Sequence, residues 1–140
     1  MVCTFFGNAD APPELKERLE QILTTYILQK GASVFYVGNH GNFDAMVITT
    51  LQKLKRLYPH IEYAVILAYL PHGKEQNYQG DTIFPEALEH IPPKYAVDRR
   101  NRWMVEQAET VFTCVLHKIS RSYRWQEYAQ RKGKTVVSII

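Results

Sequence analysis

Residues 34–44, VFYVGNHGNFD, decide the fold because a strand turns directly into a helix within them. A short apolar run stops at Gly38, Gly41 follows three residues later, and an amphipathic helical pattern begins at once. Glycine permits positive φ and a close approach of the backbone to a ligand, while the free N–H groups of a helix start carry partial positive charge. The turn is therefore typical of an anion site, although its GxxGxxD spacing is neither a P-loop nor a dinucleotide fingerprint.

The number of polar residues in this turn favours a functional role over a purely structural one. A purely structural turn from strand to helix needs one glycine and one cap, whereas this turn also supplies Asn39, His40, Asn42 and Asp44. Asn42 is the predicted N-cap of the helix. Asp44 then lies in the first turn, where the helix dipole stabilises a carboxylate without any ligand. Because a carboxylate repels phosphate, a functional Asp44 is expected to bind ribose hydroxyls or to orient a neighbouring group.

Strand and helix patterns alternate on both sides of the turn. The predicted strands are the apolar runs at residues 2–6, 33–37, 61–70, 110–116 and 135–139. The run at 61–70, IEYAVILAYL, is apolar throughout, as expected of a parallel strand that is covered on both faces. Five strands alternating with helices predict one three-layer α/β domain over residues 1–140, with a mainly parallel sheet. In such a sheet a ligand binds beyond the carboxyl ends of the strands.

Composition and hydropathy exclude several classes of protein. A chain of 140 residues that is 46% hydrophobic fits one compact domain. It contains neither an apolar run long enough to cross a membrane nor a secretory signal, so we expect a cytoplasmic protein without a membrane partner. Cys3 and Cys114 lack a CxxC spacing and are expected to be buried hydrophobes. The five histidines show no metal spacing, and neither a metal nor another cofactor is predicted.

The charge balance is only mildly basic. Lysine and arginine number 17 against 14 acidic residues, for a net charge of +3, which does not favour a nucleic-acid partner. The basic residues cluster locally, at residues 99–102 and again at 118–134.

Two other segments are expected at the same rim of the sheet as the glycine turn. Gly7 and Asn8 follow the first strand, where they form either a tight connection or part of a ligand site. The helix predicted for residues 98–109 carries RRNRWMVEQ, in which Arg102 and Glu106 form an i, i+4 pair typical of a solvated face. A tryptophan beside arginines and an amide also suits stacking on a base and pairing with phosphate. The sequence leaves both interpretations open.

Residues 71–81, PHGKEQNYQGD, are polar and have no period. They are predicted to form a loop, which could close over the site as a lid.

Six segments together carry a resemblance to a known family: FFGNAD, FYVGNHGNFDAM, YAVILAYLP, FPEALEHIPPKYAV, RNRWMVEQAETVFTCVLH and RKGKTVV. They resemble the SLOG superfamily, the Rossmann-like group that includes the LOG phosphoribohydrolases and a DNA-processing protein, and within it a small bacterial family. The likeness spans nearly the whole chain, and GNHGNFD and RNRWMVEQ are its specific parts. It implies a Rossmann-like domain that binds a nucleotide or nucleotide-derived ligand, and association into a homodimer or a larger assembly.

The chain departs from the family pattern at two strand ends. After the first strand, Gly7 and Asp10 match the pattern, but Asn8 and Ala9 replace its middle positions. After the fourth strand, HKISRSYRW at residues 117–125 replaces a glycine pair. Charged donors from Arg121 and Arg124 in place of backbone N–H groups would suit a more anionic ligand. The Pro-Gly-Gly loop of the phosphoribohydrolases is absent from the sequence.

Three functions follow from these observations. The first is binding of an adenine nucleotide or an ADP-ribose derivative without catalysis, through Gly7, Asn8, Gly38, Asn39, Gly41, Asn42, Asp44, Arg100, Asn101 and Arg121. The second is an N-glycosidic hydrolase or transferase, with Glu106 and Asp44 as its carboxylates. The third is DNA binding, as in the DNA-processing relatives, which the mild net charge disfavours.

Overall fold

The computed structural model describes residues 1–70 and 81–140, and the predicted loop and lid at 71–81 lies outside these ranges except for Asp81. The described strands are β1 (Val2–Gly7), β2 (Val34–Val37), β3 (Glu62–Ile66), β4 (Asp81–Ile83), β5 (Thr110–Cys114) and β6 (Thr135–Ser138). The described α-helices are α1 (Lys16–Gln29), α2 (Gly41–Leu57), α3 (Pro93–Gln107) and α4 (Arg121–Arg131). The predicted α/β fold with a parallel sheet is confirmed.

The prediction of five strands misses β4. Two of its three residues are exposed and the third is half-buried, so the apolar run that marks the other strands is not present there. It lies at the edge of the sheet, where Ala64 of β3 pairs with Asp81 and Ile66 pairs with Ile83.

The strand order is β4-β3-β2-β1-β5-β6, and all neighbouring strands are parallel. The chain builds outward from β1 to β4 and then crosses to the other side of β1 for β5 and β6. This is a doubly wound, Rossmann-like order whose direction reverses between β1 and β5. At such a reversal the connections leave in opposite directions, which opens a crevice at the carboxyl ends of the two strands.

Helices cover both faces of the sheet, so the central strands are buried on two sides. On one face, α1 and α2 pack against the sheet in a cluster that includes Leu19, Leu23, Val47, Leu51, Phe5, Phe35 and Phe112. On the other face, α3 and α4 contribute to a cluster that includes Met104, Val105, Trp125, Ala129, Phe6, Ile66 and Val111. The adjacent Phe5 and Phe6 of β1 thus point to opposite layers. Cys3 and Cys114 are buried free thiols, as expected.

Two glycines let α2 pack closely against the end of β1. A Cβ on Gly7 would lie 2.2 Å from ring carbons of Phe43, which is fully buried. Gly41 has φ +84°, and a Cβ there would lie 2.6 Å from the Cα of Ala9. The N–H of Asn42 donates to the carbonyl oxygen of Ala9 at 2.9 Å. The start of α2 is therefore bound to the turn that follows β1.

The prediction of Asn42 as the N-cap of α2 is wrong. The helix begins at Gly41, and the N-cap residue is His40, in an extended conformation with φ −124°. The carboxylate oxygen Oδ2 of Asp44 accepts the N–H of His40 at 3.0 Å. Asn42 itself is exposed in the first turn.

Gly7→Ala is expected to destabilise the protein by about 1–3 kcal/mol, because the added methyl group overlaps the Phe43 ring. Urea unfolding of this variant, of Phe43→Ala and of the double variant measures the coupling between the two positions. The substitution at Gly7 should be less destabilising in the Phe43→Ala background, where the Cγ and Cδ2 atoms that the new methyl group would overlap are gone. Equal destabilisation in both backgrounds would contradict this packing argument.

Candidate functional site

A cavity of about 530 Å³ opens at the carboxyl ends of β1 and β5, where the strand order reverses. Its volume lies within the range of about 300–1,000 Å³ that is typical of small-molecule sites. Five segments contribute to its wall: the end of β1, the start of α2, Tyr69 after β3, the middle of α3 and the start of α4. Its lining includes Phe6, Gly7, Asn8, His40, Asp44, Arg100, Asn101, Met104, Arg121, Ser122 and Trp125.

Asn8 holds the two strand ends beside the cavity together. Its backbone N–H donates to the carbonyl oxygen of Cys114 at 3.1 Å, and its side-chain oxygen accepts the N–H of Leu116. Asn8 is only 6% exposed. A further link lies outside the cavity, where Nε2 of His117 is 3.3 Å from Oδ2 of Asp10. The turns after β1 and β5 are thus joined by side chains as well as by the sheet.

Arg100 is a buried cation in the cavity wall, with only 2% of its surface exposed. Its Nε donates to the side-chain oxygen of Asn101 at 2.9 Å. Its Nη1 donates to the side-chain oxygen of Asn39 at 3.0 Å and to the carbonyl oxygen of Ile66 at 3.2 Å. A buried charge requires such partners, and these three hold the guanidinium in one orientation.

Gly38 makes room for Arg100 and Asp44 together. A Cβ on Gly38 would lie 2.9 Å from Oδ2 of Asp44 and 3.1 Å from both Cζ and Nη1 of Arg100. The carboxylate and the guanidinium therefore pack against the same point of the backbone. Gly38 does not have positive φ. A glycine is needed at this position because a side chain would overlap the Asp44 carboxylate and the Arg100 guanidinium.

The electrostatic environment shifts the pKa values of two groups in the wall. Burial raises the pKa of Asp44 to about 6, against the opposing effects of the His40 N–H and the Arg100 charge. Burial, followed by the charges of Arg100 and Arg121, lowers the pKa of His40. At pH 7 the described wall thus carries two arginine cations, a mostly ionised Asp44 and a neutral His40. The resulting excess of positive charge in the wall favours an anionic ligand.

The start of α4 also faces the cavity. Ser120 is its N-cap, and the hydroxyl oxygen of Ser120 accepts the N–H of Tyr123 at 3.1 Å. Arg121 and Ser122, the first two residues of the helix, line the cavity. The positive end of the helix dipole and the exposed guanidinium of Arg121 therefore lie on the same side of the cavity.

Six of the predicted site residues line the cavity: Gly7, Asn8, Asp44, Arg100, Asn101 and Arg121. The other four predicted ligand-binding residues, Gly38, Asn39, Gly41 and Asn42, do not line it. Gly38 and Asn39 contact Arg100, Gly41 packs on Ala9, and Asn42 lines a different cavity beside Lys16 and Met46. The cavity is bordered by the start of α2, through His40 and Asp44, and also by the start of α4, through Arg121 and Ser122.

The residues of RRNRWMVEQ are divided between an exposed face and the cavity wall. Arg102 and Glu106 are exposed, which fits the solvated face, whereas Arg100 and Asn101 are buried in the cavity wall. Trp103 packs on Tyr36, with ring centroids 5.3 Å apart. The predicted catalytic residue Glu106 does not line the cavity.

Sequence reasoning missed Ser122 and Trp125 as wall residues. Ser120, three residues before Tyr123, was the available signal for the start of α4.

Within the described residues, no group of three or more His, Cys, Asp or Glu side chains could hold a metal ion. None of the described helices has the length and apolar character that crossing a membrane requires.

The sequence matches no protein-family model and no curated protein.

The raised pKa of Asp44 predicts a pH-dependent difference in stability between the wild type and Asp44→Asn. The unfolded chain titrates near the ordinary value of about 3.9, so between about pH 4 and pH 6 the folded protein binds the proton more tightly. The free energy of unfolding of the wild type, relative to the variant, should fall as the pH rises through this window and stay constant above it. Urea unfolding of both proteins from pH 4 to pH 8 measures this difference. A difference that is independent of pH would contradict the assigned environment of Asp44.

Proposed function

We propose that the protein binds a nucleotide or nucleotide-derived ligand, of the adenine nucleotide or ADP-ribose type, in the cavity at the carboxyl ends of β1 and β5. The observation that carries this proposal is the approach of two arginines to one cavity of nucleotide size. Arg100 is buried and held in place by Asn39, Asn101 and Ile66, and Arg121 lies at the positive end of α4. Removing the charged Arg100 side chain from water costs free energy. A role for this charge in binding a ligand would explain why it is buried at the rim of the sheet.

Each part of a nucleotide has a suitable partner in the wall. Arg121 and the start of α4 suit the phosphate, because arginine and helix N–H groups both donate to phosphate oxygens. Phe6, Met104 and Trp125 supply apolar and aromatic surface for the base. The carboxylate of Asp44 suits ribose hydroxyls, which donate hydrogen bonds to it.

The resemblance to the SLOG superfamily supports the same class of ligand, and we infer membership of that superfamily from it. The segment that departs most from the family pattern, residues 117–125, supplies Arg121, Ser122 and Trp125 to the cavity. These side chains occupy the wall at the positions where the SLOG pattern has a glycine pair. Arg121 in particular makes the cavity more cationic, which fits a ligand with a higher negative charge.

Binding without turnover is the favoured form of the proposal. Hydrolysis with two carboxylates needs both groups beside the scissile bond. Asp44 is the one carboxylate among the described residues that line the cavity, while Glu106 is exposed elsewhere on α3.

Thermal shift assays test the proposal directly. The purified protein is heated with AMP, ADP, ADP-ribose, cyclic AMP and NAD. One of these ligands, at a hundred times its Kd, should stabilise the fold by about 2.7 kcal/mol and raise the Tm by several degrees. Arg121→Ala should weaken this stabilisation, since the variant removes an exposed cation from the cavity wall. Arg56→Ala on α2 is the matched control, because it removes an exposed cation that does not line the cavity. No shift with any of these ligands at millimolar concentration would contradict the proposal.

A second candidate is N-glycosidic hydrolysis or transfer with Asp44 as the single carboxylate. It is favoured by the pKa of about 6 for Asp44, because a carboxyl that titrates near neutral pH can donate or accept a proton. Release of free base from a bound nucleotide, lost in Asp44→Asn with binding retained, would support this candidate. If no free base is released over one day under conditions that saturate the cavity, the result would contradict this candidate and support binding without catalysis.

A further inference from the structure

A second cavity, of about 360 Å³, lies between α3 and α4. We call it the arginine groove and define it by its lining residues Arg102, Arg124, Trp125, Glu127, Tyr128 and Arg131. Three cations and one carboxylate therefore face one concave surface, which carries an excess of positive charge at neutral pH.

The arginines of the groove are poorly neutralised. In residues 1–70 and 81–140, their ion pairs are limited to Arg124 Nη2 with Asp98 Oδ2, at 3.9 Å. These two side chains are 65% and 50% exposed, so the pair is weak and easily exchanged for another partner. Glu127 lies in the groove without forming an ion pair to any of the three arginines in that part of the chain. Like charges gathered in a concave surface repel one another, so stability does not explain the cluster.

The groove and the cavity at the carboxyl end of β1 are neighbours on the surface of the domain. Trp125 lines both of them. Arg121 lines the cavity, and Arg124 follows it by one turn of α4 and lines the groove. The row continues to Arg131, and ten residues of helix span about 15 Å. This row of guanidinium groups thus leads from the cavity along the outer surface of the domain.

We propose that the arginine groove binds a further phosphate of a ligand whose first nucleotide occupies the cavity. The ligand class is then a phosphodiester-linked chain, either a linear dinucleotide or the end of a short oligonucleotide. Guanidinium groups pair with phosphate through two parallel hydrogen bonds, which suits a site made of arginines. This inference rests on the proposed function of the cavity and specifies the ligand more closely.

Calorimetric titration with AMP, the linear dinucleotide pApA and the hexanucleotide pA6 tests the inference. We expect pApA to bind about tenfold more tightly than AMP, as one additional charge-assisted phosphate contact would provide. The slope of log K against log salt concentration should be steeper by about 0.7 for each further phosphate that is neutralised. If pA6 binds more tightly still, the ligand is an oligonucleotide end; if pA6 and pApA bind equally, it is a dinucleotide. Either result supports the binding of a further phosphate by the arginine groove.

The double variant Arg102→Ala/Arg131→Ala locates the effect. It should reduce the affinity for pApA to that for AMP and leave the affinity for AMP unchanged. The matched control is Arg18→Ala/Arg56→Ala, which removes two exposed cations from α1 and α2 and should preserve the preference for pApA. Far-ultraviolet circular dichroism and the Tm of each variant show whether it is folded.

Two results would contradict phosphate binding in the arginine groove without contradicting nucleotide binding in the cavity. These are equal affinity for AMP and pApA, and a preference for pApA that survives the double variant at Arg102 and Arg131. Failure of AMP, pApA and pA6 alike to bind the wild type would overturn the proposed function and this inference with it.

Discussion

The buried charge of Arg100 is the constraint on which the site depends. A guanidinium that is 2% exposed is stable only if most of its donors have partners. Three of its partners come from separate segments: Asn39 after β2, the carbonyl of Ile66 at the end of β3, and Asn101 on α3 itself. Arg100 therefore ties α3 to the carboxyl ends of two strands. Its position fixes one side of the cavity.

The same charge explains the local sequence around the start of α2. Gly38 lacks a side chain where Arg100 and Asp44 meet the backbone. The Asp44 carboxylate is half-buried beside Arg100 and also accepts the His40 N–H, so it fixes the first turn of the helix. Gly41 lets that turn approach Ala9. The glycines and the acid of GNHGNFD thus make room for a buried guanidinium beside a carboxylate, and Asp44, His40, Arg100 and Arg121 give the cavity wall its charged and polar groups.

Much of the fold was predictable because it depends on patterns along the chain. Strands buried on both faces leave long apolar runs, such as residues 61–70, and their alternation with helices predicts a parallel sheet. The rim that bears the cavity followed from the rule that ligands bind at the carboxyl ends of such strands. The strand β4 was missed because its residues are too exposed to form an apolar run.

The details of the site were less predictable because they depend on contacts between distant segments. The cap of α2 was misplaced because Ala9, more than thirty residues earlier, accepts the N–H of Asn42. The periodicity of α3 does not show that Arg100 is buried, since a buried arginine looks like a surface residue in the sequence. Trp125 is identified as a wall residue only by the packing of α4 beside β1 and β5.

Amide chemical-shift mapping of ¹⁵N-labelled protein during titration with ADP-ribose tests the central claim most directly. The account predicts shifts in the backbone signals of Gly7, Asn8, Arg121 and Ser122 and in the indole signal of Trp125, which line the cavity. The indole of Trp103, packed on Tyr36, and the amides of Gly31 and Gly133, which do not line the cavity, should stay unchanged. Saturable shifts confined to residues outside the cavity would contradict the account.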